Sequence, residues 1–371
     1  MNIHVDQNIP SGQCVFKPHG SVALFNGRHL SREQLSNTEA LIIRSVTKVD
    51  KSLLEGTPVK FVGTTTIGTD HVDQAYLKRA GIGFAFAPGC NSNSVGEYII
   101  SVLLNLSEMH GWDLTSKTLG IIGYGNVGRN VVGKASALGM RILVNDPPLK
   151  RSGYNKTDFQ SIDRIKKEAD IISFHVPLVV DGSFKTFEMV NRSFLKNLRR
   201  IPYLINTCRG EVFEQASVME AFDKKWISGM ALDVFPNEPR IDVPLCNKCD
   251  IISPHIAGYS HEGKLNGLKM IHQAFCNYFK HQNKWKSDLG VPKQLVSHGD
   301  LKKIVDQAYN VMEDHEQLKK ALLTEDIPYS FDQLRKYYRK RREFPNHIVD
   351  GTEQQINGQL SALGFQVLME K

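Results

Sequence analysis

The residues with the clearest chemical potential fall at the ends of three apolar runs. LINT runs into Cys208-Arg209-Gly210, ALDVF into Asn237-Glu238-Pro239, and IISP into His255-Ile-Ala-Gly258. Doubly wound sheets bind ligands outside the carboxyl ends of their strands, so three such loops are expected to converge on one ligand. Oxidising a 2-hydroxy acid requires a base for the hydroxyl proton, a cation for the carboxylate and carbonyl oxygen, and a group that tunes the base. His255, Arg209 and Glu238 supply those three catalytic roles. Any one of them alone would read as a loop salt bridge or a satisfied histidine. Three together behind a nucleotide fingerprint point to catalysis.

The fingerprint is Gly123-Tyr-Gly125-Asn126-Val127-Gly128, directly after the apolar run LGII and at the start of a helical stretch. Its glycines permit a tight turn and let a pyrophosphate approach the helix N-terminus. The next apolar run, MRILVND, ends in Asp146, and 146 − 128 = 18 residues matches the spacing of a carboxylate that binds the ribose hydroxyls. A carboxylate there repels a 2′-phosphate, so NAD is the expected cofactor, with Lys150 and Arg151 as the argument for a minority NADP reading. Asp233, inside ALDVF, reads either as a structural carboxylate or as an acceptor for the nicotinamide amide, and the second reading is preferred.

The elements that must position these groups follow from periodicity. NIHVD, ALIIRS, KFVGTTT and GIGFAFAP read as strands of an α/β unit, and Asn93 to His110 as a long helix with Ser94 as its N-cap. From Thr118 to His255 strands alternate with helices, which implies a parallel sheet covered on both faces by right-handed crossovers. Lys284 to Asp300 is polar, contains Gly290 and Pro292, and reads as a linker. Beyond it come a helix from Leu301, a helix around Asp332 to Arg342, the strand HIV, the helix EQQINGQLSALG and the strand FQVLME, together a small α/β module.

Composition narrows the function classes. With 371 residues the chain calls for two or three domains, and 41% hydrophobic with 23% charged residues excludes disorder as the main state. The most apolar stretch, Tyr98 to Leu106, is broken by Ser101 and Asn105 and is far short of the ~20 residues that cross a bilayer, so no membrane span is expected. Six scattered cysteines and an amino terminus without signal-peptide layout suggest a reducing cytoplasmic setting. The net charge of +7 lies largely in the late segment Lys336-Tyr-Tyr-Arg-Lys-Arg-Arg342, which reads as a solvated helix face; no nucleic-acid motif accompanies it, and nucleic acid is not an expected partner. No metal site is expected either, because Cys246-Asn-Lys-Cys249 has no second ligand pair at zinc spacing.

These residues carry a family resemblance. The GYGNVG loop, Asn206-Thr207-Cys208-Arg209-Gly, Asp233-Val-Phe-Pro-Asn-Glu238-Pro and Ser253-Pro-His255-Ile-Ala-Gly258 resemble the D-2-hydroxyacid dehydrogenases. Arg44-Ser45-Val-Thr-Lys48, Gly68-Thr-Asp-His-Val-Asp73, Ala87-Pro-Gly-Cys-Asn91, Phe331-Asp-Gln-Leu-Arg-Lys336 and Arg341-Arg-Glu343 resemble, more narrowly, its phosphate-ester branch, which oxidises 4-phospho-D-erythronate with NAD in vitamin B6 synthesis. The likeness runs over essentially the whole chain. It implies a flavodoxin-like α/β substrate (lid) domain at 1–93 plus 267–284, a doubly wound Rossmann NAD domain at 94–266, and a C-terminal α/β domain at 285–371 that makes a homodimer. It also implies cofactor contacts from Val176, Thr207, Cys208 and Gly258, and substrate contacts from Ser45, Thr66 and Tyr259. Ser45 and Thr66 read on their own as turn caps, and Tyr259 as a half-buried aromatic. The chain departs from the family at Val176, where Thr is usual, and at Asn93-Ser-Val-Gly96, which replaces a more apolar stretch.

A phosphorylated substrate carries nearly two negative charges and needs more cations than Arg209. Arg44 is the candidate in the first domain. The basic run Arg339 to Arg342 is the other, either as solvated surface or reaching a partner subunit's site. Two alternatives stay open: another D-2-hydroxyacid dehydrogenase of the phosphoglycerate or hydroxypyruvate type, and a non-catalytic NAD-sensing protein, against which the presence of Arg209, Glu238 and His255 argues.

Overall fold

The computed structural model describes residues 1–283, 285, 293–297, 299–350 and 354–368. They divide into two units, Met1–Asn91 with Ser260–Val291 and Ser92–Tyr259 with Pro292–Lys371. Division falls within a few residues of the expected first boundary. The C-terminal segment, expected as a domain of its own, belongs to the same unit as the nucleotide fingerprint.

In the first unit β1 (Asn2–Asp6), β2 (Ser21–Phe25), β3 (Ala40–Ile43), β4 (Phe61–Thr64) and β5 (Gly83–Ala85) form a parallel sheet in the order β2-β1-β3-β4-β5. That is the flavodoxin-like order. β3 is buried at every position, which is why it reads as a continuous apolar run: a parallel strand covered on both faces has no polar side. Helix His261–Phe279 returns to this unit and packs on β4 through Leu268, Ile271 and Phe275. The edge strand β2 escaped the periodicity reading because its residues are mostly exposed.

The second unit holds β6 (Thr118–Ile122), β7 (Arg141–Asn145), β8 (Ile171–Phe174), β9 (Tyr203–Asn206), β10 (Gly229–Leu232) and β11 (Ile251–Ile252), all parallel, in the order β11-β10-β9-β8-β6-β7. A parallel bridge between Val144 and Phe159 extends the β7 edge. With it the order becomes 3-2-1-4-5-6-7, the doubly wound dinucleotide-binding order 3-2-1-4-5-6 with its third strand reduced to one bridge and β11 added as a seventh.

Helix Ser92–His110 begins two residues before the expected N-cap, so Ser94 sits inside it. Its first fifteen residues are buried except Asn93, because helix Asn126–Ala137 and the C-terminal segment both pack on it. A helix apolar on all sides belongs in an interior. β12 (Gln294–Val296) lies inside the expected linker and pairs in parallel with β13 (His347–Val349), which pairs with β14 (Gln366–Val367). The last two residues of the expected strand FQVLME, 369 and 370, lie outside the described residues. A polar seam joins this segment to the helix: buried Glu97 accepts from the Phe344 backbone N–H at 2.8 Å and from Asn93 Nδ2 at 2.9 Å, while Arg341 lies 3.6 Å from its other oxygen. Lys134 donates to the Leu363 carbonyl at 2.6 Å.

Candidate active site

The strand ends place the fingerprint first. Gly123 follows β6 with φ 95°, a conformation that favours glycine, and a Cβ there would stand 2.6 Å from the His175 carbonyl oxygen. A Cβ on Gly128 would meet the Gly123 carbonyl oxygen at 2.1 Å. Gly125 caps helix Asn126–Ala137, whose first residues are Asn126 and Val127, so the loop presents helix N–H groups to whatever approaches it. Asp146 closes β7, and its two carboxylate oxygens accept from the Tyr124 N–H at 2.7 Å and the Leu149 N–H at 2.9 Å. The carboxylate is thus fixed against the glycine loop. This turn, which Gly123 and Gly128 alone allow to close and which is open at Gly125, fits a dinucleotide with its ribose at Asp146.

Val176 follows β8, and its Cγ1 lies 3.0 Å from the position a Cβ on Gly123 would take, so it lines the loop with methyl groups where a hydroxyl would donate. His175 beside it was not singled out in the sequence. Its Nε2 bonds Ser173 Oγ at 2.9 Å and its Nδ1 lies 3.4 Å from Thr207 Oγ1; burial pushes its pKa down to about 3, so it is a neutral imidazole. A histidine at the end of an apolar run was the available signal. Cys208 follows Thr207, and burial pushes its thiol up to about 11. Burial also pushes Cys246 up to about 12 and raises Cys249, and Cys90 is buried.

The loops after β9, β10 and β11 are tied to one another. Asn206 accepts from the Cys208 N–H at 3.0 Å and donates to the Arg209 carbonyl at 2.9 Å, shaping the turn that carries Arg209. Arg209 also bonds the Cys208 carbonyl through Nη1 at 2.7 Å. A Cβ on Gly210 would lie 1.9 Å from the Phe235 carbonyl carbon, so only glycine lets this turn lie against the loop bearing Glu238. Asp233 accepts from Ser253 Oγ at 2.6 Å, from the Ile256 N–H at 2.8 Å and from the Ala257 N–H at 3.0 Å. These three bonds hold the backbone on either side of His255, which has φ 55°. The structural reading of Asp233, ranked second from sequence, therefore has direct geometric support. Gly258 lies in the following turn, closed by the Tyr259 N–H bonding the Ile256 carbonyl at 2.7 Å.

His255 Nδ1 and Glu238 Oε2 are 2.7 Å apart, with 29% and 17% of their side chains exposed. Glu238 Oε1 accepts from the Phe235 N–H at 2.9 Å. Burial works against ionising Glu238, but the His255 imidazole, Arg335 and the Phe235 N–H outweigh it and hold the carboxyl below its ordinary range. With Nδ1 engaged by a carboxylate, the imidazole presents Nε2 as the acceptor. Arg335 is a second residue the sequence reading passed over. It bonds the Tyr259 hydroxyl at 3.2 Å with its guanidinium 5.7 Å from that ring; burial opposes its charge, and Tyr259 with Glu238 more than restores it. Tyr259 is thus held by the C-terminal segment, with Tyr338 edge-on at 5.8 Å.

The basic run is only partly solvated, with Lys336, Arg339 and Lys340 exposed. The helix ends at Lys336, and Arg341 and Arg342 are 3% and 2% exposed. Arg341 donates to the carbonyls of Ala257 at 3.1 Å and Ser94 at 2.7 Å and lies 3.6 Å from the centre of the Tyr309 ring, while Arg339 pairs with Asp314 and Glu313. Arg341 thereby anchors the segment, while Arg339 keeps a partly exposed guanidinium beside its carboxylate partners.

The other expected substrate residues belong to the first unit. Arg44 Nε stands 3.2 Å from Oδ1 of fully buried Asp6, so part of its charge is committed. Ser45 lies in the turn that the Thr47 N–H closes on the Arg44 carbonyl at 3.2 Å. Thr66 Oγ1 is 2.8 Å from Thr64 Oγ1 and 3.3 Å from the Gly68 carbonyl, a turn-capping bond, and Thr64 in turn is 3.2 Å from His71 Nε2.

Comparison with known proteins agrees with this geometry. Residues 98–257 match the NAD binding domain of the D-isomer specific 2-hydroxyacid dehydrogenases, and residues 285–364 match a domain of unknown function. The chain is 40% identical over 377 aligned residues to proteins named erythronate-4-phosphate dehydrogenase from Shigella boydii and Escherichia coli, with 99% of each chain covered. The fold is shared with NAD+-bound 3-phosphoglycerate dehydrogenase of Entamoeba histolytica (TM-score 0.65, 23% identity, 78% of this chain and 98% of that one). It is shared also with the D-lactate dehydrogenase of Aquifex aeolicus complexed with NAD and lactic acid (TM-score 0.64, 24% identity, 76% and 96%). Full-length identity, the NAD-binding domain match and the dehydrogenase loop geometry agree: this chain belongs to the erythronate-4-phosphate dehydrogenase family of D-isomer specific 2-hydroxyacid dehydrogenases.

Proposed function

We propose that the protein oxidises the C2 hydroxyl of 4-phospho-D-erythronate to the 2-oxo acid, (R)-3-hydroxy-2-oxo-4-phosphooxybutanoate, with NAD, as a step toward pyridoxine 5′-phosphate. The observation that carries the chemistry is the 2.7 Å contact between His255 Nδ1 and Glu238 Oε2. NAD, when bound, supplies the acceptor for the hydride leaving C2. His255 Nε2 takes the hydroxyl proton, and the Glu238 carboxylate stabilises the imidazolium that results. Arg209 pairs with the substrate carboxylate and draws electron density from the C2 oxygen through a planar fork. Asp233 acts through its three bonds to the His255 loop and is a positioning residue, with the nicotinamide amide as a further donor to it. Asp146 takes the ribose hydroxyls, and Val176, Thr207, Cys208 and Gly258 line the cofactor. Ser45, Thr66, Tyr259 and Arg44 contact the substrate, with Arg44 as the phosphate cation. His255→Ala is expected to lower kcat by roughly 10²–10⁴ while leaving NAD binding intact. Near-wild-type turnover in that variant overturns the assignment.

The protein works as a cytoplasmic homodimer in this reading. Support for the dimer comes from the apolar side chains that the C-terminal segment leaves in solvent: Leu323 is 87% exposed, Tyr337 72% and Tyr329 61%. The six cysteines form no disulfide, in keeping with a reducing compartment, and among the described residues no helix is long and apolar enough to cross a membrane.

A further inference from the structure

The first unit contains a second cluster of chemically able side chains that the proposed reaction leaves unused. His272 and Cys276 stand one turn apart on one face of helix His261–Phe279, and His19 closes the short 3₁₀ turn Lys17–His19. His19 Nε2 lies 2.9 Å from His272 Nε2, and Cys276 Sγ lies 3.6 Å from the His272 nitrogen and 3.9 Å from the His19 nitrogen. His272 and Cys276 are each 1% exposed.

A tetrahedral zinc ion with bonds of about 2.0–2.1 Å to nitrogen and about 2.3 Å to sulfur spaces its ligand atoms about 3.3–3.6 Å apart. The observed triangle brackets those edges. A proton shared between the two Nε2 atoms and a thiol hydrogen bond to one of them would account for two edges; the same three donor atoms, all within 3.9 Å of one another, form one face of a tetrahedral site. His19 Nδ1 lies 3.0 Å from His281 Nδ1, the outer-shell bond that ligating histidines make through the ring nitrogen facing away from a metal. Trp285 and Phe16 set their rings edge-on to His272 at 5.8 and 5.6 Å and close an apolar shell around it.

The geometry points to a binding site for a soft divalent cation of the zinc type, held by His19 Nε2, His272 Nε2 and Cys276 Sγ. Sequence spacing hides this site because His19 is 253 residues from His272. Binding releases the Cys276 thiol proton and leaves a coordination position for water. None of the three ligands belongs to the proposed catalytic set, so the ion's role is to clamp the turn Lys17–His19 to helix His261–Phe279.

The test uses the full-length chain, stripped with a chelator and titrated with Co²⁺ and then with Zn²⁺. One equivalent of Co²⁺ is expected to produce a thiolate-to-cobalt charge-transfer band and the strong visible bands of four-coordination, and one equivalent of Zn²⁺ to erase both. Cys276→Ser removes the charge-transfer band, and His272→Ala weakens Co²⁺ binding by more than about tenfold. Cys246→Ser leaves the band intact. If either buried substitution prevents folding, judged by NAD binding, His19→Gln on the partly exposed turn gives the same reading by losing four-coordination. A weak six-coordinate spectrum without a charge-transfer band in the wild type overturns the proposal, as does a band that survives Cys276→Ser. NADH formation is measured alongside, so loss of turnover in the wild type with metal binding intact counts against the proposed reaction and not against the site.

Discussion

Replacing Glu238 by Gln keeps the shape of the side chain and removes its charge. In the native loop one carboxylate serves two donors, His255 Nδ1–H at 2.7 Å and the Phe235 N–H at 2.9 Å. Gln has a single acceptor oxygen and can satisfy only one of them. Turned toward His255, its NH₂ faces the Phe235 N–H; turned the other way, it donates to Nδ1 and forces the imidazole proton onto Nε2, where the base must act. The charge-assisted bond is worth about 1 kcal/mol more than a neutral one, and a buried donor left unmet costs about 1–3 kcal/mol. Their sum of about 2–4 kcal/mol corresponds to a roughly 30- to 900-fold loss in kcat. The assay is steady-state NADH formation beside an NAD binding titration, and the affinity for NAD should stay within about threefold of wild type. A kcat within threefold of wild type, or a parallel loss of NAD affinity, would refute the reasoning. Glu238 is held below its ordinary range, so its carboxylate stays ionised through neutral pH, and its stabilising contribution is lost only as pH falls through that lowered pKa.

Asp146→Ala removes the carboxylate proposed to take the ribose hydroxyls and frees the Tyr124 N–H, so the ratio of kcat/KM for NAD over NADP should fall by about tenfold or more; an unchanged ratio places cofactor selection in another part of the loop. Glu97 is pushed up to about 8, chiefly by burial and against the pull of Lys134. Its contribution to stability is therefore greatest below its ordinary value of 4.5 and is lost as pH rises toward 8, and Glu97→Gln should flatten that decline. Urea midpoints measured across this range check it, and a wild-type midpoint independent of pH contradicts it.

Much of the architecture was legible because buried parallel strands are written as apolar runs: β3, β8, β9 and β10 are buried at every position, and each was visible. Elements without that signature were lost. β2 is largely exposed, Phe159 contributes one bridge, and β12 is three residues inside a polar stretch. At the site, residue type and strand-end position were enough to mark Arg209, Glu238 and His255. What sequence could not supply was the partner of each group. Asp233 was read toward the cofactor, whereas its three bonds go to the loop that carries His255. Arg341 sits in a run of charges that reads as solvated, yet the Tyr309 ring and the carbonyls of Ala257 and Ser94, contributed from distant sequence, bury it. Arg335 and His175 were passed over for the same reason, since their significance lies in Tyr259, Glu238 and Thr207 beside them.

The most direct test of the central claim is NADH formation by the wild-type chain on 4-phospho-D-erythronate, compared with unphosphorylated D-erythronate and with 3-phosphoglycerate. The account predicts kcat/KM for the phosphorylated four-carbon acid to exceed that for D-erythronate by about 10²-fold or more, the worth of two charge-assisted hydrogen bonds to the phosphate. 3-Phosphoglycerate should turn over more slowly. Equal turnover of the phosphorylated and unphosphorylated acids, or a preference for 3-phosphoglycerate, would contradict it.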